Sequence, residues 1–143
     1  MERIRLVSIE THVDDRGFLN QIFETTQNLF PEVKRIYVVG NFGKGVIRGL
    51  HMHRTEWKYF YVVKGAAKFV AVKEGEGNPE TIVLSEKNPS ILVVPPSYYH
   101  GWMSLEEDTV LIGISSRTVE ESLKDDIRVD PNKFGDVWSV KPR

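Results

Sequence analysis

RGLHMHRTEWKYFYVVKG, residues 48–65, carries two of the chain's four histidines one residue apart, directly after an Arg-Gly pair. From Trp57 to Gly65 the run is dense in aromatic and β-branched residues and ends on glycine, the composition of a strand and its exit. Side chains alternate along a strand, so His51 and His53 are expected on one face together with Ile47 and Gly49. That face is polar where a core would be apolar. Three uses of such a pair stay open on this pattern alone: a metal site, a catalytic base with a polar helper, or a strand that carries two imidazoles for structural reasons.

The same texture extends in both directions. Valine, isoleucine, tyrosine and phenylalanine recur in short runs separated by Gly, Pro, Asn and Asp. Ten runs read as strands: 4–9, 17–23, 33–40, 46–53, 57–65, 67–75, 81–85, 90–96, 100–105 and 109–116. So many short strands in one small chain predict an all-β sandwich or barrel. Short helices are expected over TTQNLF (25–30), with Thr25 or Thr26 as cap, and over TVEESLKD (118–125), where Thr118 and Glu121 have capping-box spacing. KGAAKF (64–69) reads as a tight hairpin and EGEGNPE (74–80) as an exposed turn between strands. GNFGKG (40–45) lacks the spacing of a phosphate-binding P-loop and reads as a flexible strand connection.

A chain of 143 residues is expected to form a single domain over 1–143. Nineteen basic and 20 acidic residues leave a net charge of −1, which offers no broad positive field for nucleic acid or an anionic membrane. An anionic ligand must then be held by a few placed Arg and Lys. With no cysteine, disulfides, thiolate metal sites and a cysteine nucleophile are excluded together. The start, MERIRLVSIETH, lacks the apolar core of a signal peptide, and no run approaches the ~20 apolar residues of a membrane span. A soluble cytoplasmic protein is expected. The acidic runs EEDT (106–109) and KDD (124–126) read as solvated loops without calcium-loop spacing, and His12 as a structural histidine.

A third histidine, His100, follows PPSYY at the head of another expected strand. If the strands close into a barrel, His51, His53 and His100 converge on its interior. HMHRTEWKYFYVVKG (51–65) followed by PPSYYH (95–100) resembles the two-part signature of the cupin superfamily, which implies a cupin-type double-sheet β-barrel or jelly roll. Metal-binding cupins read His-x-His, Glu, Gly, then Pro-x-Gly-x-x-His. Here His51, His53, Gly65, Pro95 and His100 are in register, while Lys58 stands at the carboxylate and Ser97 at the second glycine. An ammonium cannot ligate a cation, so the metal-free branch is preferred. A metallo-cupin built on His51, His53 and His100 stays as an alternative.

The whole chain is similar to that RmlC-like, metal-free branch: the dTDP-4-dehydrorhamnose 3,5-epimerases and the related dTDP-sugar 3,4-ketoisomerases. DDRGFL (14–19), KRIYVVGNFGKGVIRGLHMHR (34–54), the Lys58 strand, VVPPSYYHGW (93–102) and DDIRVDPNKFGDVW (125–138) carry the resemblance, in the family's order. It implies no cofactor, a nucleotide-diphosphate sugar, dTDP-linked, as ligand, and a place in deoxysugar and polysaccharide biosynthesis. The chemistry implied is proton abstraction beside the ketone of a 4-keto-6-deoxy sugar, with epimerisation at C3, C5 or both, or alternatively a 3,4-keto shift.

Imidazole is a base of suitable pKa for such a carbon acid, and the resemblance assigns that role to His51. It places Lys58 where the epimerases carry a lysine beside the enolate oxygen. His53 and the KRIY approach with Tyr37 look like the ketoisomerases; His100 looks like the epimerases. His53, His100 and Tyr61 are expected substrate contacts. Arg48 is expected on a phosphate or sugar oxygen, which needs a bulge or bend at Gly49 to reach the pocket of His51. Arg16 is a second diphosphate contact, reaching the neighbouring subunit's pocket as such residues do in the family, which implies a homodimer.

Two positions depart from the epimerase pattern. Ile112 stands where the proton-donating tyrosine would align, and the carboxylate that orients the histidine lies beyond the final tryptophan, where this chain ends SVKPR (139–143). The acid is therefore expected from Tyr37, Tyr59, Tyr61 or Tyr99, in that order. A non-catalytic sugar-binding cupin is the rival from another class.

Overall fold

Residues 2–143 are described by the computed structural model, in which the alternating runs pair into two five-stranded antiparallel sheets and a separate hairpin. In chain order the strands are β1 (Arg5–Ser8), β2 (Thr11–Asp14), β3 (Gly17–Asn20), β4 (Arg35–Asn41), β5 (Ile47–Met52), β6 (Lys58–Lys64), β7 (Ala66–Lys73), β8 (Pro79–Ser85), β9 (Ser90–Val94), β10 (Tyr98–Ser104), β11 (Thr109–Ser115) and β12 (Ile127–Arg128). One sheet has the order β1-β9-β6-β11-β4 and the other β12-β5-β10-β7-β8, while β2 and β3 pair only with each other. The chain crosses between sheets at β4–β5, β5–β6, β6–β7, β8–β9, β9–β10, β10–β11 and β11–β12. This is the jelly roll expected of a cupin-type barrel.

That topology corrects the reading of KGAAKF. Because β6 and β7 lie in opposite sheets, residues 64–69 turn a corner of the barrel and do not close a hairpin. EGEGNPE does connect a hairpin, since β7 and β8 pair along their length. Two strands had no clear sequence pattern: β2, whose four residues THVD hold a single apolar side chain and are all exposed, and the two-residue β12.

Inward-facing Phe60, Val62, Phe69, Leu84, Leu92, Trp102 and Leu111 fill the space between the sheets. Each such side chain, fully buried, contributes about 1.5–3 kcal/mol. A second cluster covers the outer face of the first sheet, where Tyr59, Ile91, Val93 and Ile114 pack under Phe23, Phe30 and Trp57. The segment over 25–30 that supplies Phe30 is not a regular helix. It makes one 3-10 turn, Thr25–Gln27, and Asn28 leaves it at φ +54. Its reciprocal partners are Glu24 and Gln27, with the Glu24 N–H donating to Gln27 Oε1 at 3.0 Å, so neither threonine is the cap. The later helix, α1 (Val119–Leu123), has the capping box read from Thr118 and Glu121, at 3.0 and 3.2 Å. No helix among the described residues is long and apolar enough to cross a membrane.

Candidate active site

A cavity of about 410 Å³ lies between the sheets, lined on one side by Arg48, His51 and His100 and on the other by Tyr37, Lys58 and Phe60. The first wall depends on two facing glycines. At Gly49, φ +129, a Cβ would stand 2.7 Å from Gly101 Cα; one on Gly101 would stand 2.5 Å from the Arg48 carbonyl oxygen. Only without side chains do β5 and β10 approach this closely. The pairing register slips at the same place, between His100 and Trp102. Strict alternation is thereby broken, and Arg48 and His51, three residues apart, both line the cavity. Arg48 Nε donates to Asn41 Oδ1 at 2.7 Å and its NH2 group to the Gly40 carbonyl at 3.2 Å.

The three histidines meet as the barrel closes. Ring centroids are 5.2 Å apart for His51 and His53, 5.0 Å for His51 and His100, and 6.1 Å for His53 and His100. Nδ1 of the buried His53 lies 2.6 Å from the Asp125 carbonyl oxygen, and that of the buried His100 lies 3.2 Å from the Tyr98 carbonyl oxygen. A carbonyl only accepts, so Nδ1 donates in both rings and Nε2 keeps its lone pair. Both Nε2 atoms are buried and without a hydrogen-bond partner among the described residues. Burial, then the neighbouring His53, Lys58 and Arg128, pushes His51 down to about 4 against the pull of Asp126. Burial, then the neighbouring His51, His53 and Lys58, holds His100 well below its ordinary value. At neutral pH His51 is an uncharged base.

Asp126 corrects the reading of KDD as a solvated loop. Strand β12 pairs with Met52 and His51 of β5, which carries the two preceding aspartates to the histidines. Asp126 Oδ1, buried and otherwise unpartnered, is 3.5 Å from His51 Nδ1, and Oδ2 accepts from Arg128 Nε at 2.7 Å. The Asp125 carboxylate accepts from the Arg54 N–H at 3.0 Å, the Thr55 N–H at 2.8 Å and the Thr55 hydroxyl at 2.9 Å. A carboxylate beside the base is thus present, supplied before the final tryptophan and not beyond it. Nothing in the letters DD marks this, because the contact is made by long-range pairing.

The opposite wall is set by register. Arg35, Ser115 and Lys58 form one row across β4, β11 and β6, and Tyr37, Gly113 and Phe60 form the inward row next to it. Ile112 points outward by alternation, so the inward place on β11 belongs to Gly113. A Cβ there would run into Tyr37 Cζ and stand 2.5 Å from Cε2 and the phenol oxygen. The Tyr37 ring therefore occupies the space that a β11 side chain would take. Lys58 Nζ donates to the Tyr37 oxygen at 3.3 Å, and Lys58 Nζ and Arg35 Cζ lie 5.0 and 5.1 Å from the Tyr37 ring centroid.

Glu56 was not singled out in the sequence, where it looks like one more polar residue of a turn. It is 2% exposed. Its Oε2 takes Lys58 Nζ at 2.8 Å, Arg35 NH2 at 3.2 Å and the Ser115 hydroxyl at 2.6 Å, while Oε1 faces His53 Nδ1 at 3.6 Å. Burial pushes this carboxyl up, but the Lys58 ammonium and the Ser115 hydroxyl outweigh it and hold it below the usual range. The site does contain a cupin-like carboxylate, two residues earlier than the motif position and tied to cations.

Other expected residues stand elsewhere. Arg16 is 87% exposed on the β2–β3 hairpin, paired with Asp14, and does not line the cavity of its own chain. Tyr61 is on the outer face of β6 and accepts from Asn20 Nδ2 at 3.0 Å, outside the cavity. Tyr59 donates to the Ile22 carbonyl at 2.5 Å and is pushed up to about 12 by burial. Tyr99 packs against Phe134, centroids 5.5 Å apart. Of the four tyrosines considered as acid, Tyr37 alone lines the cavity. For a cation, the ligand atoms among the described residues that lie within 4.8 Å of one another are those of His51, His53 and Asp126, so His100 of the alternative metallo-cupin set is replaced by a carboxylate.

A two-sheet jelly roll with a neutral imidazole on one wall of its lumen and an ammonium on the other has the build of a cupin-type sugar-nucleotide isomerase. The chain matches the family model for dTDP-4-dehydrorhamnose 3,5-epimerase over residues 1–142, and it belongs to that family. It is 30% identical to the crystal structure of dTDP-4-dehydrorhamnose 3,5-epimerase from Sulfolobus tokodaii, with 96% of this chain and 82% of that one covered and a TM-score of 0.81. It also superposes on QdtA, a sugar 3,4-ketoisomerase from Thermoanaerobacterium thermosaccharolyticum in complex with TDP: 20% identity, 92% and 90% coverage, TM-score 0.73. A curated relative is the spore coat polysaccharide biosynthesis protein SpsL of Bacillus subtilis, 22% identical over all of this chain and 99% of that one.

Proposed function

We propose that the protein epimerises a dTDP-linked 4-keto-6-deoxy sugar at C3, C5 or both. His51 takes the proton from carbon, the electron pair moves to the C4 oxygen, and Lys58 donates to the enolate so formed. Tyr37 returns a proton to the carbon from the other side, and solvent resets both groups. Asp126 orients His51, and Arg48, with His100 on the same wall, contacts the substrate; His53, expected as a further contact, is buried behind His51 and does not line the cavity. The observation that carries this reading is the distribution of base and acid over the two sheets: His51 on β5, Tyr37 on β4, with the cavity between them. Inversion of a stereocentre needs proton removal from one face and delivery to the other.

A 3,4-keto shift needs one base that moves a proton between neighbouring carbons, and the His-x-His pair of residues 51 and 53 favours that as the second reading. Incubation with a dTDP-4-keto-6-deoxy hexose in deuterated water, followed by proton NMR, separates them. Exchange at C3, C5 or both, abolished in His51→Asn, is the expected result, and exchange at C5 excludes a pure 3,4-ketoisomerase. No exchange at either carbon with any such substrate would leave a sugar-binding cupin.

The β2–β3 hairpin supports a homodimer in which Arg16 reaches the partner's cavity. It exposes Val13 (74%) and Phe18 (73%) beside Arg16, apolar surface that a monomer would leave in water. Sedimentation at micromolar concentration is expected to give a dimer; a monomer that is fully active would end this part of the reading.

A further inference from the structure

A buried carboxylate held by two cations calls for a reason, because apolar residues of similar volume would stabilise a fold at least as well. Glu56 Oε2 gathers three donors from three different strands: Arg35 of β4, Lys58 of β6 and Ser115 of β11. Lysine is a point charge on a flexible four-carbon stem, so its ammonium has no fixed place unless something supplies one. Here two of its three N–H bonds are spoken for, one by Glu56 at 2.8 Å and one by the Tyr37 oxygen at 3.3 Å. The third remains for a ligand oxygen in the cavity that Lys58 lines.

We infer that Glu56 is a positioning residue: by gripping the Lys58 ammonium from behind, it fixes both the donor aimed at the substrate oxygen and the phenol of Tyr37 that Lys58 touches. Glu56 itself does not line the cavity. Its charge also separates the two cations that flank the Tyr37 ring, Arg35 and Lys58, which repel each other once the carboxylate is gone. What Lys58 and Tyr37 do once held rests on the epimerase reading above; that Glu56 holds them does not.

The test is a double-mutant cycle read by kinetics, with a second readout by NMR. Glu56→Gln keeps shape and removes charge; it is expected to lower kcat about 10–100-fold with KM changed less than about threefold, since an interaction used only in the transition state is lost. Lys58→Met is expected to cost more, and Glu56→Gln added to it to cost nothing further. A general structural role predicts instead that the Glu56→Gln loss recurs in full on the Lys58→Met background, and that result would overturn the inference, as would a rise in KM at constant kcat.

In lysine-labelled protein the Lys58 ammonium should give a slowly exchanging proton–nitrogen resonance that Glu56→Gln abolishes. A resonance unchanged in Glu56→Gln would overturn the inference irrespective of turnover. If no 4-keto sugar is turned over by the unaltered protein, the epimerase reading falls by itself, and this resonance still decides whether Glu56 holds Lys58. Should Glu56→Gln fail to fold, Ser115→Ala removes one of the three donors and is expected to show the same non-additivity with Lys58→Met at about 3–10-fold, a smaller loss because Lys58 and Arg35 stay in place. Full additivity there counts against the inference in the same way.

Discussion

Gly113→Ala adds one methyl group to β11 and is expected to reach the chemistry through Tyr37. The new Cβ would stand 2.5 Å from Cε2 and from the phenol oxygen of that ring, against the ~3.5–4.0 Å of an ordinary carbon contact. The ring must withdraw by about 1 Å or more, and its 3.3 Å contact with Lys58 Nζ, already long, has no slack to absorb that. Overpacking of this kind costs about 1–3 kcal/mol of stability, a fall in melting temperature of roughly 2–4 °C per kcal/mol for a domain near this size. A misplacement of ~1 Å in a reacting group costs about 10²-fold in rate. Epimerisation followed by NMR, beside a thermal melt by circular dichroism, separates the two effects. Tyr37→Phe serves as reference: it leaves the ring, removes the acid, and should cost about 10²–10⁴-fold in kcat with little change in melting temperature. If Gly113→Ala is folded and keeps kcat within about twofold of the unaltered protein, the ring is not where the reaction needs it and the assignment of Tyr37 is wrong.

Asp126→Asn removes the carboxylate facing His51 and is expected to lower kcat about 10²-fold; this is less than in a tightly bonded catalytic triad, because the contact is 3.5 Å long, and steady-state kinetics check it. The acid limb of kcat/KM should lie near pH 4, because His51 must be neutral to act and stays so above about 4. Stability should fall over the range from about pH 6.5 to 4, measured by melts in a buffer series. There the unfolded chain takes up protons that the folded His51 refuses, and the depressed Glu56 adds a loss in the same direction as pH drops below the ordinary carboxylate range. Ser97→Gly should raise stability by about 0.5–1 kcal/mol, seen in urea melts: Ser97 sits at φ +69, where a side chain costs ~1–2 kcal/mol, partly offset by the greater freedom of glycine in the unfolded chain. Dialysis against a chelator should leave epimerisation unchanged, because Lys58 and Arg128 both bear on His51 with positive charge; loss of activity restored by a divalent metal would favour the metallo-cupin.

What could be read in the letters was what alternation and turn residues encode locally. Ten of the strands follow from period-two runs, and the three histidines follow from a spacing that survives folding. The sheet to which each strand belongs does not, which is why KGAAKF looked like a hairpin and is a corner. Gly49 was legible as a place where alternation must break for Arg48 and His51 to share a pocket; the facing Gly101, which allows it, is a partner that only pairing reveals. Glu56 and Asp126 escaped for one reason. Each is a carboxylate in a polar turn whose partners lie up to 75 positions away, and an isolated letter E or D does not disclose that its neighbours in space are cations and imidazoles. Tyr61 shows the converse: a position expected in the pocket carries no knowledge of which face of its strand it occupies.

The pair Asp125 and Asp126 fixes the order in which the molecule can be completed. Through one carbonyl and two carboxylates these neighbours tie His53, the Arg54–Thr55 backbone and His51. Eleven of the twelve strands are made before the ribosome reaches them. A nascent chain that stops at Leu123 has the sequence of a nearly whole barrel, yet the carbonyl that aims His53 and the carboxylate that faces His51 are still to come. Competence for proton transfer is therefore acquired late in synthesis, when β12 docks.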